Sequence, residues 1–114
     1  MRYPIEPVPK PRMTQRDKWK KRPCVLRYRA FKDKCRAHRV ELPQPCKVVF
    51  WLPIPKNAKV TLVGSPHCSK PDLDNLLKAL CDAVLTDDSR LWSIRAEKRW
   101  GSVGAIDIVA MDEE

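Results

Sequence analysis

The residues best equipped for chemistry lie in Lys70-Pro71-Asp72-Leu73-Asp74-Asn75, where two aspartates flank one leucine. Pro71 biases the residue before it toward an extended conformation, so a helix is expected to begin only after Asp74. In extended chain, Asp72 and Asp74 point to the same side with Cα atoms roughly 7 Å apart, a spacing that lets both reach one cation. Carboxylate oxygens bind Mg²⁺ at about 2.0 to 2.1 Å, so hard-metal chemistry is the first expectation. The alternative is that Asp74 merely caps the helix and Asp72 is a solvated loop acid. Lys78 lies one turn after Asp74 on the same helix side, placed either for an i,i+4 ion pair or for a phosphate bound nearby. Asp82 continues that polar stripe but stands roughly 12 Å from Asp74 along the axis, too far to share a ligand. Asp87-Asp88 follow the helix and supply further acids that need a positive partner.

The charge layout gives these acids their context. The formal net charge is +9, and it is unevenly distributed: residues 1–70 hold 18 Lys and Arg against 4 Asp and Glu, whereas residues 71–114 hold 5 against 10. A surface of that basicity attracts a phosphate backbone through counterion release. Clustered acids facing the same polyanion would repel it unless a cation lay between them, which is the second pointer to a metal. A solvated basic face with an acidic tail is the plainer alternative. The candidate DNA contacts are Lys10, Arg12, Arg16, Lys18, Lys20, Lys21 and Arg22, in a basic arm over residues 10–22 around Trp19, together with Lys70 beside the acids.

Several elements must position these groups. Tyr3 and Ile5 alternate among prolines, so the start of the chain can only be an edge strand. Residues 23–38 fit a helix with Pro23 in its first turn and Cys24, Leu26, Tyr28, Phe31 and Cys35 inward, leaving Arg27, Arg29, Lys32, Lys34 and Arg36 as a second basic surface. Residues 47–52, Lys-Val-Val-Phe-Trp-Leu, form a β-branched and aromatic run bounded by prolines, which predicts a central strand buried on both faces. Residues 53–70 are rich in turn formers and predict a loop near the site, with no assignment for Val60 to Val63. Leu73, Leu76, Leu77, Leu80, Cys81 and Val84 form an amphipathic helical stripe. Trp92, Ile94 and Ala96 alternate as a half-buried strand, and Gly101-Ser102 is expected to turn that strand into an antiparallel terminal hairpin with Ile106, Ile108 and Ala110. The class is α+β, one domain over residues 1–114, with a mixed or antiparallel sheet and two main helices packed on it.

No segment approaches the roughly 20 apolar residues of a membrane span, and a soluble, cytoplasmic protein is expected. Five cysteines, at positions 24, 35, 46, 68 and 81, contain no C-x-x-C pair and read as reduced thiols, several in the core. His67-Cys68 lacks the second ligand pair that a zinc site needs.

The run from Lys70 to Ala83, followed by Asp87-Asp88, resembles the signature of the RusA family of Holliday junction resolvases. The resemblance implies a homodimeric endonuclease that nicks branched DNA in recombination and repair, in a bacterial, prophage or phage setting, with Mg²⁺, or Mn²⁺ in its place, as cofactor. It also implies that Asp72, Asp74 and Asp88 bind the metal and that Lys78 is the catalytic lysine. The connection Val84-Leu85-Thr86 is shorter than in some members, which leaves open whether Asp87 or Asp88 faces the metal. A general branch or flap endonuclease and a non-catalytic DNA-binding module are the alternatives.

Overall fold

Alternating burial along one strand organises the molecule. The computed structural model describes residues 1–12 and 22–111, and of Asp88 the backbone alone. Its elements run β1 (Arg2–Tyr3), α1 (Pro23–Ala37), β2 (Cys46–Pro53), α2 (Leu73–Val84), β3 (Ile94–Gly101) and β4 (Ala105–Ala110), with short 3-10 turns at Val60–Leu62 and Asp88–Arg90. The four strands form a single mixed sheet in the order β1-β4-β2-β3. This is the α+β class with two helices. As expected, β1 is an edge strand and β2 is central.

On β2, Cys46, Val48, Phe50 and Leu52 are buried and join Phe31 and Cys35 of α1 and Leu76 and Leu80 of α2 in one core. The opposite face differs from the expectation of burial on both sides. Lys47, Val49 and Trp51 are only partly covered, because among the described residues no helix packs there and charged side chains take its place. The Trp51 indole donates to Asp107 Oδ2 at 2.7 Å and lies 5.5 Å beneath the Arg2 guanidinium, while Lys47 pairs with Glu97 at 3.7 Å. Both helices instead cover the other face. On α1 the buried stripe is Val25, Tyr28, Phe31 and Cys35; Leu26, expected inside, is largely exposed, since one residue's rotation of about 100° moves it off that stripe.

The terminal hairpin does not form. β2 lies between β3 and β4, pairing parallel with β3 from Cys46↔Ile94 to Pro53↔Gly101 and antiparallel with β4 from Cys46↔Ala110 to Trp51↔Ala105. The most apolar strand takes the centre because only there do both of its backbone edges find partners away from water. The connection from β3 to β4 therefore passes the end of β2 instead of folding β4 back onto β3. Two glycines permit this passage. A Cβ on Gly101 would stand 2.9 Å from the Val103 carbonyl oxygen and 3.1 Å from Trp51 Cβ, and one on Gly104 would stand 2.7 to 2.9 Å from Cγ, Cβ and Cα of Glu6.

The stretch 53–70 is largely ordered by the free edge of β3. Gly64 N–H donates to the Trp100 carbonyl at 2.8 Å, Trp100 N–H to Ser65 at 3.0 Å, and His67 N–H to Lys98 at 3.0 Å. These bonds cover an otherwise open strand edge and lead the chain toward Asp72. Gly64, at φ +91°, makes the turn into this pairing.

The crowding at the crossing gives a direct test. Gly104→Ala drives a methyl group into the Glu6 backbone and is expected to destabilise the fold by about 1 to 3 kcal/mol, read as a lower denaturation midpoint at unchanged slope.

Candidate active site

α2 carries the candidate site residues at its surface because its apolar stripe pins it to the sheet while its first turn stays exposed. Leu76, Ala79 and Leu80 are fully buried, whereas Asp72, Asp74 and Lys78 are exposed. The helix begins at Leu73, earlier than expected, so Asp74 sits inside the first turn and Asp72 is the N-cap. Asp72 and Asp74 are therefore not two positions of one extended segment. An acid in the first turn is favoured by the positive end of the helix dipole, which is why the helix does not wait for Asn75.

Asp72 occupies the capping position with extended backbone, φ −71° and ψ 142°, yet its side chain caps no amide. Its Oδ2 instead lies 3.2 Å from Lys70 Nζ. Asp74 Oδ2 lies 3.7 Å from Lys78 Nζ, with the two side chains 69% and 63% exposed. Such an open i,i+4 pair contributes only a few tenths of a kcal/mol, so it does not explain on stability grounds why the lysine is there. Neither carboxylate is consumed by the fold. Both are hard oxygen donors of the kind that suits a divalent cation.

The remaining acids have different surroundings. Asp82 accepts from Tyr28 Oη at 2.6 Å and from Lys10 Nζ at 2.6 Å. Burial opposes its ionisation, but the bonds from Lys10 and Tyr28 outweigh that cost and hold its carboxyl below the usual range. Burial, with the same bond and the adjacent Asp82 charge, pushes the Tyr28 hydroxyl far above its ordinary value. Asp82 thus ties α1, α2 and the N-terminal segment together. Asp87 Oδ1 accepts from the Ser89 amide at 3.0 Å and the Ser89 hydroxyl at 2.7 Å, and these bonds lower its pKa. It closes the turn that leads into β3. The Asp88 side chain lies outside what is described, and among the described residues no group of three or more His, Cys, Asp or Glu could hold a metal ion.

The segment after α2 turns back along the helix. Leu91 lines an open cleft of about 440 Å³ with Asp74, Leu77, Lys78, Cys81 and Asp82.

Of the expected DNA contacts, Arg16, Lys18, Lys20 and Lys21 lie outside the described residues. Arg12 and Arg22 meet through a bond of 2.8 Å from the Arg22 guanidinium to the Arg12 carbonyl. Lys10 is anchored twice, by its amide to the Asn75 carbonyl at 3.0 Å and by its ammonium to Asp82. Lys10 therefore lies beside the first turn of α2. His67 is buried against Trp100, with ring centroids 4.0 Å apart, and none of the five cysteines forms a disulfide, three of them being buried.

Sequence reasoning missed Lys98. It occupies an inward register on β3, opposite Phe50 of β2, and its ammonium donates to the carbonyls of Ser69 at 2.6 Å and Pro71 at 2.8 Å. The available signal was a charged residue at the position where the alternation of Ile94 and Ala96 calls for an apolar one.

Residues 4–110 match the family Endodeoxyribonuclease RusA. The chain belongs to this family. No significant match was found among curated proteins or among solved structures. The match covers nearly the whole chain, from just after β1 through β4, and makes this RusA-family chain a DNA endonuclease. No helix among the described residues is long and apolar enough to cross a membrane.

The Asp82 cluster gives a pH prediction with two limbs. Asp82 has a depressed folded pKa, so its contribution is present above about pH 4, the unfolded value, and is lost as pH falls through the folded one. Tyr28 has a raised folded pKa, so its contribution is complete below about pH 10 and is lost as pH climbs toward the folded value. Thermal melts of Asp82→Asn between pH 2 and 7 should show a shallower loss of stability on the acid side than the parent. Identical acid limbs would remove Asp82 from this role.

Proposed function

We propose that this RusA-family protein resolves four-way DNA junctions by paired phosphodiester nicks in recombination and repair, using Mg²⁺, with Mn²⁺ able to substitute. The observation that carries the reading is the first turn of α2. Two surface aspartates, neither capping the helix nor buried, sit beside lysines in a chain of net charge +9, an arrangement that makes sense when a cation joins them to a phosphate.

Asp72 and Asp74, with Asp88 as third ligand, would hold the ion, which when bound polarises the scissile phosphate and favours deprotonation of a water. Asp87 is engaged with Ser89, which favours Asp88 over Asp87 as the acid available to the site. Lys78 is free to swing from Asp74 to a non-bridging phosphate oxygen, where a fixed ammonium stabilises charge that grows in the transition state. Lys70 neutralises Asp72 before substrate arrives and can pass to the backbone when it does.

Binding is assigned to the arm over residues 10–22 and to the exposed Arg27, Arg29, Lys34 and Arg36 of α1. Phosphate contacts of this kind carry affinity and position, so the shape of the junction selects the substrate. A four-way junction has approximate two-fold symmetry. Paired nicks require two sites related in the same way, which a homodimer supplies.

Asp72→Asn is expected to bind a synthetic four-way junction as the parent does and to lose cleavage by about 100-fold or more; undiminished cleavage removes Asp72 from the chemistry. The parent should cut that junction into two nicked duplexes in preference to flap and linear DNA, and equal rates on all three would make it a general branch nuclease. Replacing Lys10, Arg12, Lys20 and Arg22 by alanine should flatten the dependence of log affinity on log salt by about 0.9 for each phosphate that is no longer neutralised. An unaltered slope places the arm outside the interface.

A further inference from the structure

Lys98 is the one charged side chain on the inner register of β3, among Ile94, Ala96 and Trp100. A half-buried ammonium is costly unless its protons find acceptors. Among the described residues it forms no ion pair; its acceptors are two backbone carbonyls, those of Ser69 and Pro71. The choice of those two is informative. From Gly64 to His67 the incoming chain is held to β3 by main-chain bonds. Beyond His67 the Lys98 side chain takes over, gripping the backbone on both sides of the Lys70-Pro71 peptide bond. The Pro71 carbonyl belongs to the peptide unit whose nitrogen is that of Asp72. The last anchored point before the acids is therefore this ammonium.

We propose that Lys98 is a positioning residue for Asp72: by holding the 69–71 backbone it sets where the Asp72 carboxylate stands relative to Asp74, and so the shape of the divalent-cation site. The proposal rests on the reading of Asp72 and Asp74 as cation ligands. It gives a function to a cationic side chain that core packing alone would have replaced with an aliphatic one. Carbonyl partners are neutral, so the ammonium keeps its full charge, and as a mere bystander that charge would weaken cation binding. Positioning and simple electrostatics therefore predict opposite signs when the charge is removed.

The test is Mn²⁺ binding to the DNA-free protein, followed by electron paramagnetic resonance, in the parent, Lys98→Met, Lys98→Arg and Asp72→Asn, with thermal melts confirming folding. Groups that orient metal ligands typically change metal affinity by about 10 to 100-fold. Lys98→Met should therefore bind Mn²⁺ at least about 10-fold more weakly despite losing a positive charge. Lys98→Arg, which keeps donors for both carbonyls, should recover most of the affinity. On junction DNA, Lys98→Met should lower kcat with KM little changed.

Mn²⁺ affinity in Lys98→Met that is unchanged or higher overturns the proposal, provided the parent shows a site that Asp72→Asn abolishes. A parent whose Mn²⁺ binding is indifferent to Asp72→Asn overturns the cation reading itself, and the two failures are thereby distinct. Should Lys98→Met not fold, Lys98→Gln, which keeps an uncharged donor, is read in the same way; failure of both to fold makes Lys98 part of the scaffold and overturns the positioning role.

Discussion

The burial of one stripe of α2 against the inner face of the sheet is the contact from which the candidate site takes its form. Leu76, Ala79 and Leu80 are fully enclosed, and each large aliphatic side chain so buried contributes roughly 1.5 to 3 kcal/mol. That grip fixes the rotation of the helix about its own axis. With the apolar stripe inward, Asp74 and Lys78 have no position open to them except the surface, side by side and one turn apart. The same grip fixes the helix along its length, so that its first turn meets the backbone delivered from the edge of β3.

That delivery depends on the order of the strands. Because β2 is central, β3 becomes an edge, and its free hydrogen-bonding groups recruit residues 64 to 67. A terminal hairpin would have placed β4 on the edge of β3 that β2 leaves open, and the chain entering Asp72 would have lost its template. The glycines at 101 and 104 are thus linked to the site through topology: they allow the crossing that leaves β3 beside the incoming loop. Two more interactions extend the arrangement. Asp82 holds the N-terminal segment to α2, and Asp87 closes the turn ahead of β3, so of the acids clustered near α2 these two serve the scaffold while Asp72 and Asp74 remain open.

Much of this was readable before any coordinates. The period of the apolar residues marked α2 and its buried stripe, Pro23 marked the start of α1, and the prolines near the start restricted β1 to an edge, since each of these signals is local. Asp74 and Lys78 were legible as a pair because residues four apart on a helix must be neighbours, whereas the extended spacing expected of Asp72 and Asp74 gave way to a helix that starts at Leu73. Other features needed partners distant in sequence. Helical rise already set Asp82 apart from Asp74, but what it does instead turned on Tyr28, 54 residues away, and on Lys10. The alternation of β3 with that of β4 suggested a hairpin because short connections usually make one, and only the competition among strands for the central place could say otherwise.

The sequence by itself determined the class of fold, the helix that bears the candidate site, the pairing of Asp74 with Lys78, and the unequal charge of the two halves, because periodicity, residue chemistry and charge are carried by neighbouring positions. Tertiary structure alone decided the strand order, the one-sided covering of the sheet, the partners of Asp82 and Asp87, and the hold of Lys98 on the backbone before Asp72. Those features are set by which distant groups compete for the same buried surface and the same hydrogen-bonding edges, and no local pattern records the outcome of that competition.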